Sequence, residues 1–196
     1  MTIQHLKNTQ PGAFLCTLIL IVQLSIQSAS ASQVEEVDLP EISQNSELIF
    51  EGQVIAKSVR RHPDDGRPMT YFTFQIDEVV KGSYLKSKIE LGFEGGTIDG
   101  LTAEISDLEM PVMGERGIYF VESISEQLVH PLYGWNQGHY LIETDAVGTR
   151  RVKRVKSEAI FRKTQSSSGS RKLDNIFISP PSVSDFKQQI LDNLNN

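Results

Sequence analysis

The chain is almost without cysteine: of 196 residues only Cys16 is one, and it lies in an apolar run near the N-terminus. A single thiol closes no disulfide within the chain, so stability is left to the core. Histidine is scarce too. Beyond His5 there are His62, His130 and His139, none three to five residues from another, so a closed structural zinc site is not predicted and the metal set is empty. A meeting of His130 and His139 across a hairpin near Glu143 is the weaker alternative to surface or domain-edge histidines.

Catalytic motifs are equally lacking. Glu94-Gly95-Gly96 has neither the spacing nor the following helix of a phosphate loop. The serines from Ser166 to Ser170 have no strand before them and no helix after them, as a nucleophile elbow needs. Asp64-Asp65 falls in a turn and Asp77-Glu78 straddles two faces of a strand, so these carboxylates read as solvated and not as an acid-base pair. No catalytic residue and no cofactor is therefore expected.

What is present begins with a leader. Lys7 precedes the apolar stretch Ala13 to Ile26, which is shorter than the roughly 20 residues a membrane span needs. Small residues follow, with Ala29-Ser30-Ala31 as an A-x-A cleavage site. Residues 1–31 are expected to be a Sec-type bacterial signal peptide cut after Ala31, leaving a periplasmic or secreted chain of 165 residues without a membrane span. Ala13-Phe14-Leu15 does not place small residues ahead of Cys16 as a lipoprotein signal would.

Charge is unevenly spread. Ser32 to Asp145 carries 21 acidic and 8 basic residues, whereas Ala146 to Lys172 carries 9 basic residues and only Glu158. Such a dipole bears on partners and solubility, not on fold.

Residues 32–45 are an acidic leader, with Pro40 fit to open a short helix before Ser46. Leu48, Phe50, Val54 and Ala56 then alternate with Glu51, Gln53 and Lys57, and Gly52 marks a bulge or sharp bend. His62 to Gly66 supplies a turn, and Phe72, Phe74 and Ile76 form a second alternating strand that stops at Lys81-Gly82. Ile89, Leu91 and Phe93 form a third. Glu94 to Gly114 reads as a long connection with one helical turn near Thr102 to Leu108. Further strands are expected at Gly117 to Ser123, where Ile118 to Val121 is apolar on both faces, at Leu128 to Tyr133 and at Gly138 to Thr144. The fold class expected over residues 46–145 is mainly β, a small antiparallel OB-like barrel of five to six strands, closed or nearly so.

Residues 146–181 form a basic and Ser-rich segment. Within it Arg150 to Lys156 is a possible edge strand and Gln165 to Ser170 a linker. Over residues 182–196, Ser182 and Asp185 make an approximate capping box before Val183, Phe186, Ile190 and Leu194, which share one face of a C-terminal amphipathic helix.

Ser46 to Val54, Phe74 to Gly82, and Pro111 with Gly114-Glu115 ahead of Tyr119-Phe120 resemble phrases of a broad group of exported bacterial proteins of undefined function. That group is distantly similar to the OB-like barrels of the netrin and metalloproteinase-inhibitor superfamily, and the resemblance covers roughly Ser46 to Thr144. The superfamily's inhibitors reach zinc through an N-terminal cysteine and depend on disulfides. The cleaved chain has no cysteine, so neither feature transfers.

Two stretches are candidate binding surfaces. Tyr133, Trp135, Gln137, His139 and Tyr140 combine flat aromatic faces with directed hydrogen-bonding groups, a set suited to a saccharide or peptide; the competing reading is a hairpin whose tryptophan plugs the end of the domain. Arg150, Arg151, Lys153, Arg154 and Lys156 are candidates for an anionic surface, or for pairing within the chain. Nucleic acid is not an expected partner of an exported chain. The expected function is a non-enzymatic binding or interaction module. The alternatives are an inhibitor or chaperone of an exported protease, and a hydrolase in which two or more of His130, His139, Glu94 and Glu115 converge in a pocket.

Overall fold

A computed structural model describes residues 36–106, 108–155 and 179–195. The expected signal peptide, Lys156 and the Gln165 to Ser170 linker lie outside the described residues.

The chain opens with helix α1 (Leu39–Asn45), capped by Asp38, whose Oδ1 accepts from Glu41 N–H at 2.8 Å, with proline in the first turn. Strands β1 (Leu48–Arg61) and β2 (Pro68–Lys81) make a long hairpin, and β3 (Lys88–Glu94) returns beside β2. A short hairpin of β4 (Gly96–Ile98) and β5 (Leu101–Ala103) follows, then β6 (Arg116–Val121), a 3-10 turn (Trp135–Gly138), β7 (His139–Thr144), β8 (Arg150–Arg154) and helix α2 (Val183–Leu194). The main sheet is antiparallel throughout, in the order β3-β2-β1-β6-β7-β8.

Both faces of this sheet are apolar. On one, Phe50, Phe72, Phe74, Phe93 and Tyr119 are fully buried, with Leu48, Val54 and Val121 among them. On the other, Ile49, Ile118, Phe120, Tyr140 and Val152 pack against Ile42 of α1 and Val183, Phe186 and Ile190 of α2. Each such buried side chain is worth about 1.5–3 kcal/mol, so the two layers together can hold the sheet without a cross-link. Ser182 Oγ accepts from Asp185 N–H at 3.1 Å, and α2 lays the expected face down.

Several expectations need correction. The sheet is not closed into a barrel: β3 and β8 are its two ends. The outer edge of β8 is taken by the chain just ahead of α2, where Val152 N–H donates to the Pro181 carbonyl at 2.9 Å and Arg151 bridges Ser182. Covering that edge with a local segment meets the same need that closure would have met. Leu128 to Tyr133 is not a strand; it touches the end of β6 through a single bridge between Val121 and Leu132. The helical turn expected near Thr102 to Leu108 begins instead as β5, paired to β4 across Asp99 (φ 50°) and Gly100 (φ 78°). Two successive left-handed residues are what a tight hairpin turn requires. Gly52 does mark a break in register between β1 and β2.

Candidate functional site

The aromatic stretch is shaped by backbone conformation. Gly134 (φ 59°) and Trp135 (φ 60°) are both left-handed and start the 3-10 turn, and a Cβ on Gly138 would stand 2.7 Å from the Tyr133 carbonyl. The turn directs its polar side chains inward. Asn136 Oδ1 accepts from Glu109 N–H at 2.9 Å, and Gln137 Oε1 accepts from Val37 N–H at 2.8 Å and from Arg154 Nη2 at 2.9 Å.

The five candidate contact residues do not share one surface. Tyr140 is buried between Phe120 and Phe186, with ring centroids 5.3 and 4.7 Å away, on the helix-covered face. His139 is 3% exposed on the opposite face, where its ring stacks on Tyr119 at 5.0 Å. Gln137 is buried in its hydrogen bonds. Tyr133 and Trp135 are half-buried; the Tyr133 hydroxyl lies 3.4 Å from Glu41, and Trp135 stacks parallel to His130 at 6.3 Å.

The basic strand is largely paired within the chain. Arg150 pairs with Glu51; Arg151 Nε donates to Asp145 Oδ2 at 2.7 Å and its Nη1 to the Pro180 carbonyl at 2.9 Å. Arg154 Nη2 donates to the Val37 carbonyl at 2.7 Å. Lys153 stands exposed, 4.0 Å from Glu143. Asp145 is accordingly held below the usual carboxylate range by Arg151 and by the N–H groups of Thr149 and Val147.

His139 and Glu115 do converge: Glu115 Oε1 lies 2.5 Å from His139 Nε2 and 3.4 Å from the Tyr119 hydroxyl. Burial, and after it Glu115, pushes the Tyr119 phenol far up, so it stays protonated. His130 and Glu94 do not join them, since His130 packs edge-on to Phe93 at 4.8 Å and Glu94 pairs with Arg67. The contact is a buried His139 ring stacked on Tyr119 with the half-buried Glu115 carboxylate beside both. Among the described residues no three or more His, Cys, Asp or Glu are placed to hold a metal ion, and no helix is long and apolar enough to cross a membrane.

A cleft lies elsewhere, where the first turns of α2 approach β1, β2 and the turn before β8. It measures about 720 Å³, and Glu51, Glu78, Thr149, Arg150, Ser184 and Lys187 are among its lining. Its floor is Glu51, 4% exposed and directly opposite Glu78 across β1 and β2. Two carboxylates in that position repel. Lys187 reaches down from α2 between them, in contact with Glu51 and 2.6 Å from Glu78, and Arg150 approaches Glu51 from the other side. Burial alone would lower the lysine, but the two carboxylates outweigh it and hold its pKa above the ordinary value. A lysine so held is a fixed cation, neither a base nor a nucleophile at neutral pH. Ser182 Oγ and Ser184 Oγ lie 2.9 Å apart and bond to each other.

Periodicity placed Glu51 on a solvated face and missed this cluster, because nothing local in the sequence says that a helix more than 130 residues away covers that face. Comparison of the chain with protein-family models, with curated proteins and with solved structures finds no match.

Proposed function

We propose that the chain is a non-enzymatic binding module, exported as its leader implies, that takes a polar ligand of the saccharide or peptide class in the cleft beside α2. The observation that carries this reading is the cleft itself: about 720 Å³, within the range of small-ligand sites, with both signs of charge and several hydroxyl and amide groups at its wall. Most ligand sites are more apolar than this. A lining of directed donors and acceptors suits a ligand that is itself rich in hydroxyls or amides. The OB-like relationship suggested by the strand phrases belongs to this same reading, as does a surface role for Trp135 next to the domain edge.

Titration of the isotope-labelled protein with short peptides and with oligosaccharides tests it. Shifts centred on Thr149, Ser184 and Gln188, which also lines the cleft from α2, are expected, weakened several-fold in Ser184→Ala and Gln188→Ala variants of unchanged fold. Shifts centred on Trp135 instead, or none with either class, would reject the cleft as the site.

One observation favours a second reading, a hydrolase: the approach of His139 to Glu115. It requires turnover of some ester, amide or glycoside that disappears in His139→Asn while the fold persists. Activity unaffected by that substitution removes it.

A further inference from the structure

We propose that His130 is an acid-sensitive latch: protonation of its imidazole releases the segment from Glu122 to Trp135 from the sheet while the sheet itself stays folded.

The segment is tied to the rest of the chain at two ends. Near its start Ser123 Oγ and Ile124 N–H donate to Glu47 Oε2 at 3.0 and 2.8 Å. Around His130, Tyr133 N–H donates to the Phe120 carbonyl at 2.8 Å and Glu94 N–H to the Val129 carbonyl at 2.9 Å, while Glu122 N–H to the Pro131 carbonyl at 2.9 Å closes the segment on itself. His130 sits at the middle of this arrangement, 2% exposed, wedged between the edge of Phe93 and the face of Trp135. Its Nδ1 accepts from Leu132 N–H at 3.2 Å, which fixes the neutral tautomer with the proton on Nε2. Nε2 itself is buried without a well-formed hydrogen bond.

Protonation therefore does two things at one place. It turns Nδ1 from an acceptor into a donor that faces the Leu132 N–H, so the local bond becomes a donor–donor conflict. It also puts a positive charge between two aromatic side chains where, among the described residues, no carboxylate is placed to meet it. The groups facing the ring can be named element by element. From β7 comes His139, which opposes a second positive charge and is itself met by Glu115; from the described residues of the stretch before β6 comes the Glu109 carbonyl, a partial acceptor, the Glu109 side chain being exposed. From β3 comes Phe93, whose neighbour Glu94 is engaged by Arg67. Burial is the main cause that lowers the His130 pKa to about 4.

The sign follows from linkage. A histidine released to water titrates near 6.5, and the closed segment holds it neutral down to about 4, so the closed state is favoured above pH 6.5 and loses that advantage as pH falls through this window. Across the window the closed-to-open ratio falls by about 300-fold, the ratio of the two acid constants.

The chain's single tryptophan lies against the latch and reports on it. The experiment follows Trp135 emission from pH 7.5 to 4 on the intact protein, alongside amide exchange corrected for intrinsic rates. Red-shifted emission with faster exchange at Leu132, Tyr133 and Trp135, while β1, β2 and β6 stay protected, is expected. His130→Asn, which keeps an acceptor for Leu132 N–H and does not titrate, should remove the change. Should that variant fail to fold, the His130 proton signal of the parent must titrate with the same midpoint as Trp135 emission. Emission that is flat to pH 4, an identical transition in the Asn variant, or loss of protection over the whole sheet at once would overturn the proposal.

Discussion

Gly52 and Gly117 stand directly opposite each other across β1 and β6, and the rings of Phe50 and Tyr119 fold over them. The two rings stack with centroids 5.3 Å apart, so bare backbone at the middle of the sheet is roofed by aromatic carbon. Each glycine is also a close approach. A Cβ on Gly52 would lie 2.5 Å from the Gln75 carbonyl, and one on Gly117 2.6 Å from the Tyr140 carbonyl.

Those obstructing atoms are backbone and cannot swing aside. Gly52→Ala and Gly117→Ala should each cost about 1–3 kcal/mol through overpacking, read as a lowered urea midpoint. A Gly117→Ala protein within about 0.5 kcal/mol of the parent would mean that the strands have room to part.

Removing Lys187 should be more severe. Lys187→Met leaves Glu51 opposite Glu78 with Arg150 alone to answer both, a loss of about 2–4 kcal/mol for a broken, mostly buried pair. Adding Glu51→Gln to that variant should recover part of the loss, and a double-mutant cycle measures how much. The pH dependence has a definite direction. Lys187 is raised in the folded state, so its contribution is complete below about pH 10.5 and declines as pH climbs through the folded-state value. The stability difference between parent and Lys187→Met should therefore shrink above pH 10.5; a difference constant to pH 12 would contradict the assignment.

Lys81 closes the C-terminal end of α1. Its Nζ donates to the Ser43 carbonyl at 2.9 Å and the Gln44 carbonyl at 2.7 Å, and partial burial lowers its pKa. Lys81→Met should speed amide exchange in Leu39–Asn45 and cost about 0.5–1.5 kcal/mol, the worth of a charged C-terminal cap. Exchange rising equally in β1 and β2 would show that the lysine braces the hairpin instead.

Arg154 joins two distant pieces of chain, the Val37 carbonyl and Gln137. Arg154→Lys should recover part of what Arg154→Ala loses, because one nitrogen, Nη2, donates to both acceptors and a lysine Nζ with three donors can do the same. Equal thermal midpoints for Arg154→Lys and Arg154→Ala would argue against that geometry.

Much of the scaffold could be read from local pattern. The capping box and apolar spacing of α2, the alternation of β1 and β2 and the break at Gly52 are all short-range signals, and each stands where it was expected. Asp99-Gly100 carried the same kind of signal for the β4–β5 turn, but the surrounding glycines hid it inside what read as a connection. Closure of the sheet could not be read at all, since it depends on what covers the edge of β8, and Pro181 does so by a backbone contact that no side-chain pattern announces. The candidate site suffered similarly. Tyr140 and His139 are neighbours in sequence, and for that reason point to opposite faces of the sheet.

That alternation along β6 and β7 has a further result. Ile118 and Phe120 belong to the helix-covered layer, Tyr119 and Val121 to the aromatic one, so β6 is a partition with a separate interior on each side. Damage to one interior reaches the other only through the backbone of the strands between them. Substitutions at Phe186 and at Phe72, for instance, should add nearly independently, and denaturant should be able to strip the helices from one side while the aromatic layer on the other still holds its strands together.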